Sequence, residues 1–322
     1  MQTEVNKFIE RSSWEQGHEL YVVDNNLFNH PIKSYILLVL FGSSLPSLTT
    51  SVVNQIFVGA LGNPLSRITN ATDIASETIR QSADQVLNAD TPYMLTYSIV
   101  SILTMVFLAW WFKMRFKNAD YEGIIVLRNF GRACLIALPG LLFVALNFFS
   151  VNIGNFKIGI LLLGFIPAFT EEIAFRGLVI PNWMRVWNKK SGIWLSLFVT
   201  SAVFGLFHAA NILVGADVGT TLFQVFYAFA LGMLLAGIVI RTGTLWPCIL
   251  IHGLMDFSAF LGNEAMYQGA VQTQGFEFGW DVIPVLVLSA FYIVYAIIIC
   301  RPSKHNEILE LWKNKWGPAL LV

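Results

Sequence analysis

Eight apolar runs dominate the chain, each about as long as the ~20 residues a helix needs to cross ~30 Å of hydrocarbon. They cover residues 33–60, 92–113, 132–151, 157–180, 192–213, 220–241, 244–262 and 281–300. In lipid every backbone N–H and C=O needs an internal partner, so runs of this length predict helices. Pro46, Pro139, Pro167, Pro247 and Pro284 interrupt several of them. Such breaks are tolerated where neighbouring helices satisfy the freed groups. The expected fold is therefore an all-α polytopic membrane protein of about eight spans. Charged residues make up only 12% of the 322, too few to cover a soluble globule, and 56% hydrophobic residues exclude disorder.

The spans lie too close together for a separate soluble domain. The expected division is a cytoplasmic tail over 1–32, a transmembrane domain over 33–300 and a basic amphipathic tail over 301–322. No apolar stretch precedes Ile36, so no secretory signal peptide is expected and the first span should do the targeting. The 20 Lys+Arg balance 20 Asp+Glu, which argues against a nucleic-acid partner. Cys134, Cys248 and Cys300 each lie in an apolar stretch and form no Cys-x-x-Cys pair, so they read as small packed residues.

Lys and Arg favour cytoplasmic loops. With both termini inside, 17 of the 20 fall on that side, leaving only Arg67, Arg80 and Lys157 outside. Residues 62–91 carry Leu65, Ile68, Thr72, Ala75, Ile79, Ala83 and Val86 at spacings of three and four, the pattern of an amphipathic helix on the outer surface. Ile308, Leu309, Leu311, Trp312 and Trp316 mark a second amphipathic stretch, expected to anchor on the membrane surface. Membrane lipid is thus one expected partner. Short polar tails suggest a bacterial plasma-membrane protein.

Ionisable groups inside spans each cost at least about 2.5–3.5 kcal/mol at mid-membrane, so each needs a reason. Span four carries Glu171, Glu172 and Arg176; span five carries Phe204 and His208; span seven carries His252 and Asp256. Residues four apart share a helix face. Glu172 can therefore pair with Arg176, an ion pair that fixes the helix. Glu171 points about 100° away and is the better reactive carboxylate. Asp256 can orient His252 or share a ligand with it, and Phe204 should pack beside His208. Two carboxylates, two imidazoles and an aspartate on three helices can activate water, with or without a metal. The bland readings are interhelical hydrogen bonds for either histidine and a proton relay for the glutamates.

The order Glu171-Glu172-x-x-x-Arg176, Phe204-x-x-x-His208, His252-x-x-x-Asp256 resembles the CPBP (Abi) family of intramembrane proteases. That family contains CAAX prenyl endopeptidases of the Rce1 type and bacteriocin-processing or self-immunity proteins. The resemblance covers about 155–262. It implies an endopeptidase acting on a membrane-associated or peptide substrate, of CAAX, bacteriocin or pheromone type. Glu171 would activate water; His208 and His252 would hold the water or a metal; Asp256 matches the last motif position; Glu172 and Arg176 would be the supporting pair. The resemblance leaves both metal and metal-free chemistry open. Asp at position 256 adds an anionic oxygen, which would suit a divalent cation such as zinc on Glu171, His208, His252 and Asp256. The alternative is a non-catalytic regulator or bacteriocin self-immunity protein with the same fold, binding a partner such as a sensor kinase or a receptor. A transporter is disfavoured, since no internal repeat is seen.

The straight-span picture carries one conflict. At 1.5 Å per residue, Glu171 and His252 lie about 12–14 Å from the cytoplasmic edge and His208 about 24 Å. Groups so spaced would not meet around one water.

Overall fold

The computed structural model describes residues 26–30, 32–40, 92–116, 123, 127, 130–151, 153–262, 279 and 282–317. Among these, helix is the only regular structure. Residues 32–40 form α1. Then come α2 (Pro92–Arg115), α3 (Phe130–Asn147), α4 (Ile158–Val186), α5 (Lys190–Phe207), α6 (Val218–Thr242), α7 (Trp246–Gly262), α8 (Val282–Ile299) and α9 (His305–Trp316). Six of them, α2 to α6 and α8, are long and apolar enough to cross a membrane, and α7 is a shorter apolar helix. The chain is a polytopic all-α membrane protein. Spans two to eight fall on α2 to α8. Span one beyond residue 40 and the amphipathic stretch 62–91 lie outside the described residues.

The central helix is α6, which packs against α5, α8, α3 and α7, while α7 packs against α4 and α3. Small residues set the closest crossings. A Cβ on Gly164 of α4 would stand 2.7 Å from the Phe257 backbone nitrogen and 2.9 Å from the Gly253 carbonyl, both on α7. A Cβ on Gly205 of α5 would stand 2.7 Å from the Val225 carbonyl of α6. Without hydrophobic drive inside lipid, such close backbone packing is what holds helices together. Asp217 caps the start of α6 by accepting from the Thr220 amide at 2.8 Å. Gly243 ends it with φ at 69°, the left-handed value that glycine adopts without cost.

Span four departs from expectation in two ways. It runs to Val186 rather than 180. It also changes form midway: regular helix over Ile158–Glu172, a π turn over Ile173–Leu178, then regular helix again over Val179–Val186. π turns are inserted single turns, often at functional sites.

The C-terminal stretch is helical as expected, but it is not a surface anchor. Ile308, Trp312 and Trp316 of α9 are buried against the bundle. The Trp312 indole donates to the Ile240 carbonyl at 3.0 Å, in the last turn of α6, where helix carbonyls lack their own partners. The Trp316 indole donates to the Pro181 carbonyl of α4 at 2.9 Å. Buried protein carbonyls satisfy the indole N–H groups that would otherwise seek the interface. At the same end Glu307 accepts from Arg241 at 2.6 Å and also pairs with Arg132 and Lys304. Arg185, whose guanidinium lies 5.8 Å from the Trp316 ring centroid, donates to the Phe28 carbonyl and to Asn29 Oδ1, each at 2.9 Å, which ties the N-terminal turn to α4.

Candidate active site

Three helices meet where α4 passes into its π turn. Glu172 is the last residue before that turn and Arg176 lies within it. Arg176 Nη1 donates to Glu172 Oε1 at 2.7 Å, and both side chains are fully buried. The same oxygen faces His252 Nδ1 of α7 at 2.9 Å. An ionised carboxylate only accepts, so the imidazole Nδ1–H is the donor. The Arg176 guanidinium lies over the Phe204 ring of α5, its central carbon 3.9 Å from the centroid. Gly232 of α6 leaves room for it, since a Cβ there would stand 3.1 Å from Nη2. A buried pair of this kind is weak evidence for stability, because desolvation consumes much of the attraction. Its geometric effect is definite: it fixes Glu172, and Glu172 fixes the His252 ring.

With Nδ1 committed, His252 turns Nε2 toward two other carboxylates. Glu171 Oε2 lies 3.9 Å away and Asp256 Oδ2 3.5 Å away. These separations are too long for direct hydrogen bonds of normal strength. Glu171 and Asp256 are also the accessible members of the group, with side chains 35% and 33% exposed against 0% for Glu172. The two glutamates therefore differ as their helical positions suggested. Glu172 is packed into the ion pair, and Glu171 is partly exposed.

His208 is the first residue past the regular part of α5. Its Nδ1–H donates to the Phe204 carbonyl at 3.1 Å, so in the neutral ring Nε2 keeps a free lone pair. The Phe204 ring meets both imidazoles edge-on, with centroids 5.2 Å from His208 and 5.8 Å from His252. Phe204 is thus the common wall of the site.

The depth conflict is reduced by the longer α4. Counting from Val186, Glu171 is 15 residues in, about 22 Å, and His208 is 18 residues from Lys190, about 27 Å. Helix α7 begins inside the bundle, since Thr244 and Leu245 before it are buried. Its register is set by the 2.9 Å contact from His252 to Glu172.

The four residues named as ligands for a divalent cation, Glu171, His208, His252 and Asp256, sit on α4, just past α5, and on α7. Among the described residues no three His, Cys, Asp or Glu groups stand together as a metal shell. One nitrogen of each histidine is held, by Glu172 and by the Phe204 carbonyl, which leaves Nε2 of each ring as the atom that would serve as a ligand. Sequence reasoning did not single out Gly164, Gly232 or Gly253, which permit the close approaches. The only available signal was their placement on the faces that carry the charged residues.

No curated protein and no solved structure matches the chain. Residues 153–258, which contain every one of these groups except the helices that flank them, match the model of one family, described as Rce1-like, type II CAAX prenyl endopeptidase.

Proposed function

We propose that this membrane protein is an intramembrane endopeptidase that hydrolyses a peptide bond with a water activated by Glu171. One observation carries the reading: two partly exposed carboxylates, Glu171 and Asp256, lie 3.9 and 3.5 Å from one imidazole nitrogen whose partner nitrogen is held by a buried glutamate. A water lying among these atoms has acceptors on two sides and an oriented imidazole on the third. Glu171 takes a proton from that water as its oxygen attacks the scissile carbonyl. His252, carried as the imidazolium among the Glu171, Glu172 and Asp256 carboxylates, donates from Nε2 to the oxyanion of the tetrahedral intermediate, and His208, whose Nδ1–H is held by the Phe204 carbonyl, accepts at Nε2 a hydrogen bond from the attacking water. Collapse of the intermediate breaks the C–N bond, and the proton held on Glu171 passes to the leaving amine. Asp256 keeps His252 aligned along its own helix face.

The match over residues 153–258 supports a protease of CAAX type. We read the substrate as a membrane-associated peptide, the location as the plasma membrane and the basic end of the bundle as cytoplasmic. The test compares membrane and released peptides by mass spectrometry in cells carrying wild-type protein or Glu171→Gln, which keeps the shape and removes the base. Loss of a cleavage product in the variant supports the proposal. An unchanged peptide profile, with full biological activity in a Glu171→Ala/His208→Ala variant, would establish the non-catalytic regulator instead.

A further inference from the structure

A peptide bond can be hydrolysed only where the chain around it has left the helix, and in lipid the N–H and C=O groups so freed must find partners on the protein. The hydroxyls beside the site are already committed. Thr170, Ser201 and Ser258 donate to the Pro167, Leu197 and Met255 carbonyls of their own helices, and Thr221 donates to the Asp217 carbonyl. Two amide side chains, Asn211 and Gln224, keep capacity to spare. Past α5 the chain runs through a 3₁₀ helix over His208–Val214, in which side chains three apart eclipse. Asn211 therefore stands on the face of His208, about 6 Å further along at ~2.0 Å per residue. Gly215, at φ 94°, turns the chain back, its amide on the Ile212 carbonyl and the Ala216 amide on the Asn211 carbonyl, both at 3.1 Å. The turn sets Asn211 against α6, where its Nδ2 donates to Gln224 Oε1 at 2.8 Å. Neither side chain has another partner among the described residues. The one bond leaves Asn211 Oδ1 as an acceptor and Gln224 Nε2 as a donor, the two kinds of group that a peptide main chain needs.

We infer that the Asn211 and Gln224 amides form a main-chain subsite that holds the substrate peptide extended beside His208. An extended chain rises ~3.3 Å per residue, so an offset of ~6 Å places the pair about two residues from the scissile bond. Asn211 Oδ1 accepts a substrate N–H there, and Gln224 Nε2 donates to a substrate C=O. Both contacts are to backbone, so the subsite fixes the course of the strand and not the identity of its side chains. The inference rests on the peptidase reading. The competing role is a hydrogen bond that only orients the 3₁₀ segment against α6 and never touches substrate.

Ester substitution in the substrate separates the two roles. The probe is the peptide identified by the Glu171→Gln comparison, made with one amide at a time replaced by an ester over the residues flanking the scissile bond. An ester lacks the N–H and is a weaker acceptor. In wild-type protein the ester about two residues from the cut should lower kcat/KM about 3–10-fold, the loss of one hydrogen bond. In Asn211→Ala the all-amide peptide should already be poorer by about that factor, chiefly through KM, and the same ester should cost nothing more. Where Asn211→Ala does not fold, Gln224→Ala, which leaves the 3₁₀ segment's own residues unchanged, is read the same way. Equal ester penalties in wild type and variant, or no penalty tied to one position in wild type, overturn the inference while the cleavage itself upholds the peptidase reading. If no peptide is cut, that reading falls and the subsite falls with it.

Discussion

The crossing of α4 and α7 at Gly164 makes a quantitative prediction. Gly164→Ala adds one methyl group whose carbon would stand 2.7 Å from the Phe257 nitrogen and 2.9 Å from the Gly253 carbonyl. Both contacts are backbone atoms, so no side chain can swing aside. Ordinary contact begins near 3.4 Å, so the two helices must part by about 0.7 Å. Overpacking of this kind costs about 1–3 kcal/mol. Glu171 lies seven residues, about two turns, from Gly164 on the same face, so the displacement reaches the site. Added to the 2.9 Å contact between Glu172 and His252, it gives about 3.6 Å, beyond hydrogen-bonding range. Misplacement of a catalytic group by ~1 Å can lower a rate by about 10²-fold. The assays are the melting temperature in detergent and the cleavage rate, with Gly131→Ala as control, where nothing lies within 4 Å of the new atom. A lowered melting temperature with a rate loss of one to two orders of magnitude is expected. Wild-type stability and rate in Gly164→Ala would refute the argument that this contact sets the site geometry.

Glu171→Gln should lower cleavage by about 10²–10⁴-fold while leaving thermal stability near wild type, measured on purified protein with an identified peptide. Arg176→Ala leaves Glu172 buried and uncompensated and should destabilise by about 3–5 kcal/mol in a denaturation assay. Arg176→Met/Glu172→Gln should recover much of that stability without recovering activity, because His252 loses its charged acceptor; recovered turnover would show that the pair does not orient the ring. The hydrogen bond from Arg241 holds the Glu307 carboxyl down at about 2, aided by the charges of Arg241 and Arg132. A depressed value means that its contribution is fully present above the ordinary value of 4.5 and fades as pH falls through about 2. Glu307 is 41% exposed, so the contribution is small. The emission of Trp312 and Trp316 should stay constant from pH 8 to 5 and change below about 4.5, and Glu307→Gln should remove part of that change; an unchanged acid transition in the variant would assign it to other carboxylates.

Much of the architecture is legible because lipid leaves so few options. The apolar runs mark α2 to α8 within a few residues, and the four-residue spacings pair Glu172 with Arg176 and His252 with Asp256. The depth of the groups was not legible. Hydropathy registers how apolar a stretch is and carries no sign of where a helix stops when the next turn is buried by other protein; hence span four seemed to end at 180. The π turn is equally silent, since Ile-Ala-Phe-Arg-Gly-Leu reads as ordinary helix. The fate of α9 was misread for a related reason. A basic amphipathic helix has one apolar face, and its pattern does not tell whether lipid or protein covers that face. Here the indole N–H groups find helix carbonyls, and the face turns inward.

The wide turn over Ile173–Leu178 amounts to one residue more than a regular helix would use over the same rise. Everything after it is rotated by about 100° relative to an uninterrupted helix. The two halves of α4 therefore present different stripes to their neighbours: the first half offers Gly164 and the glutamates to α7, and the second offers Asn182 and Arg185 to the N-terminal turn and Pro181 to α9. Deleting a single residue within this turn would restore regular winding and swing the second half out of register with every partner it now meets. The site and the sealed end of the bundle are in this sense written in two reading frames of one helix, joined by a one-residue shift.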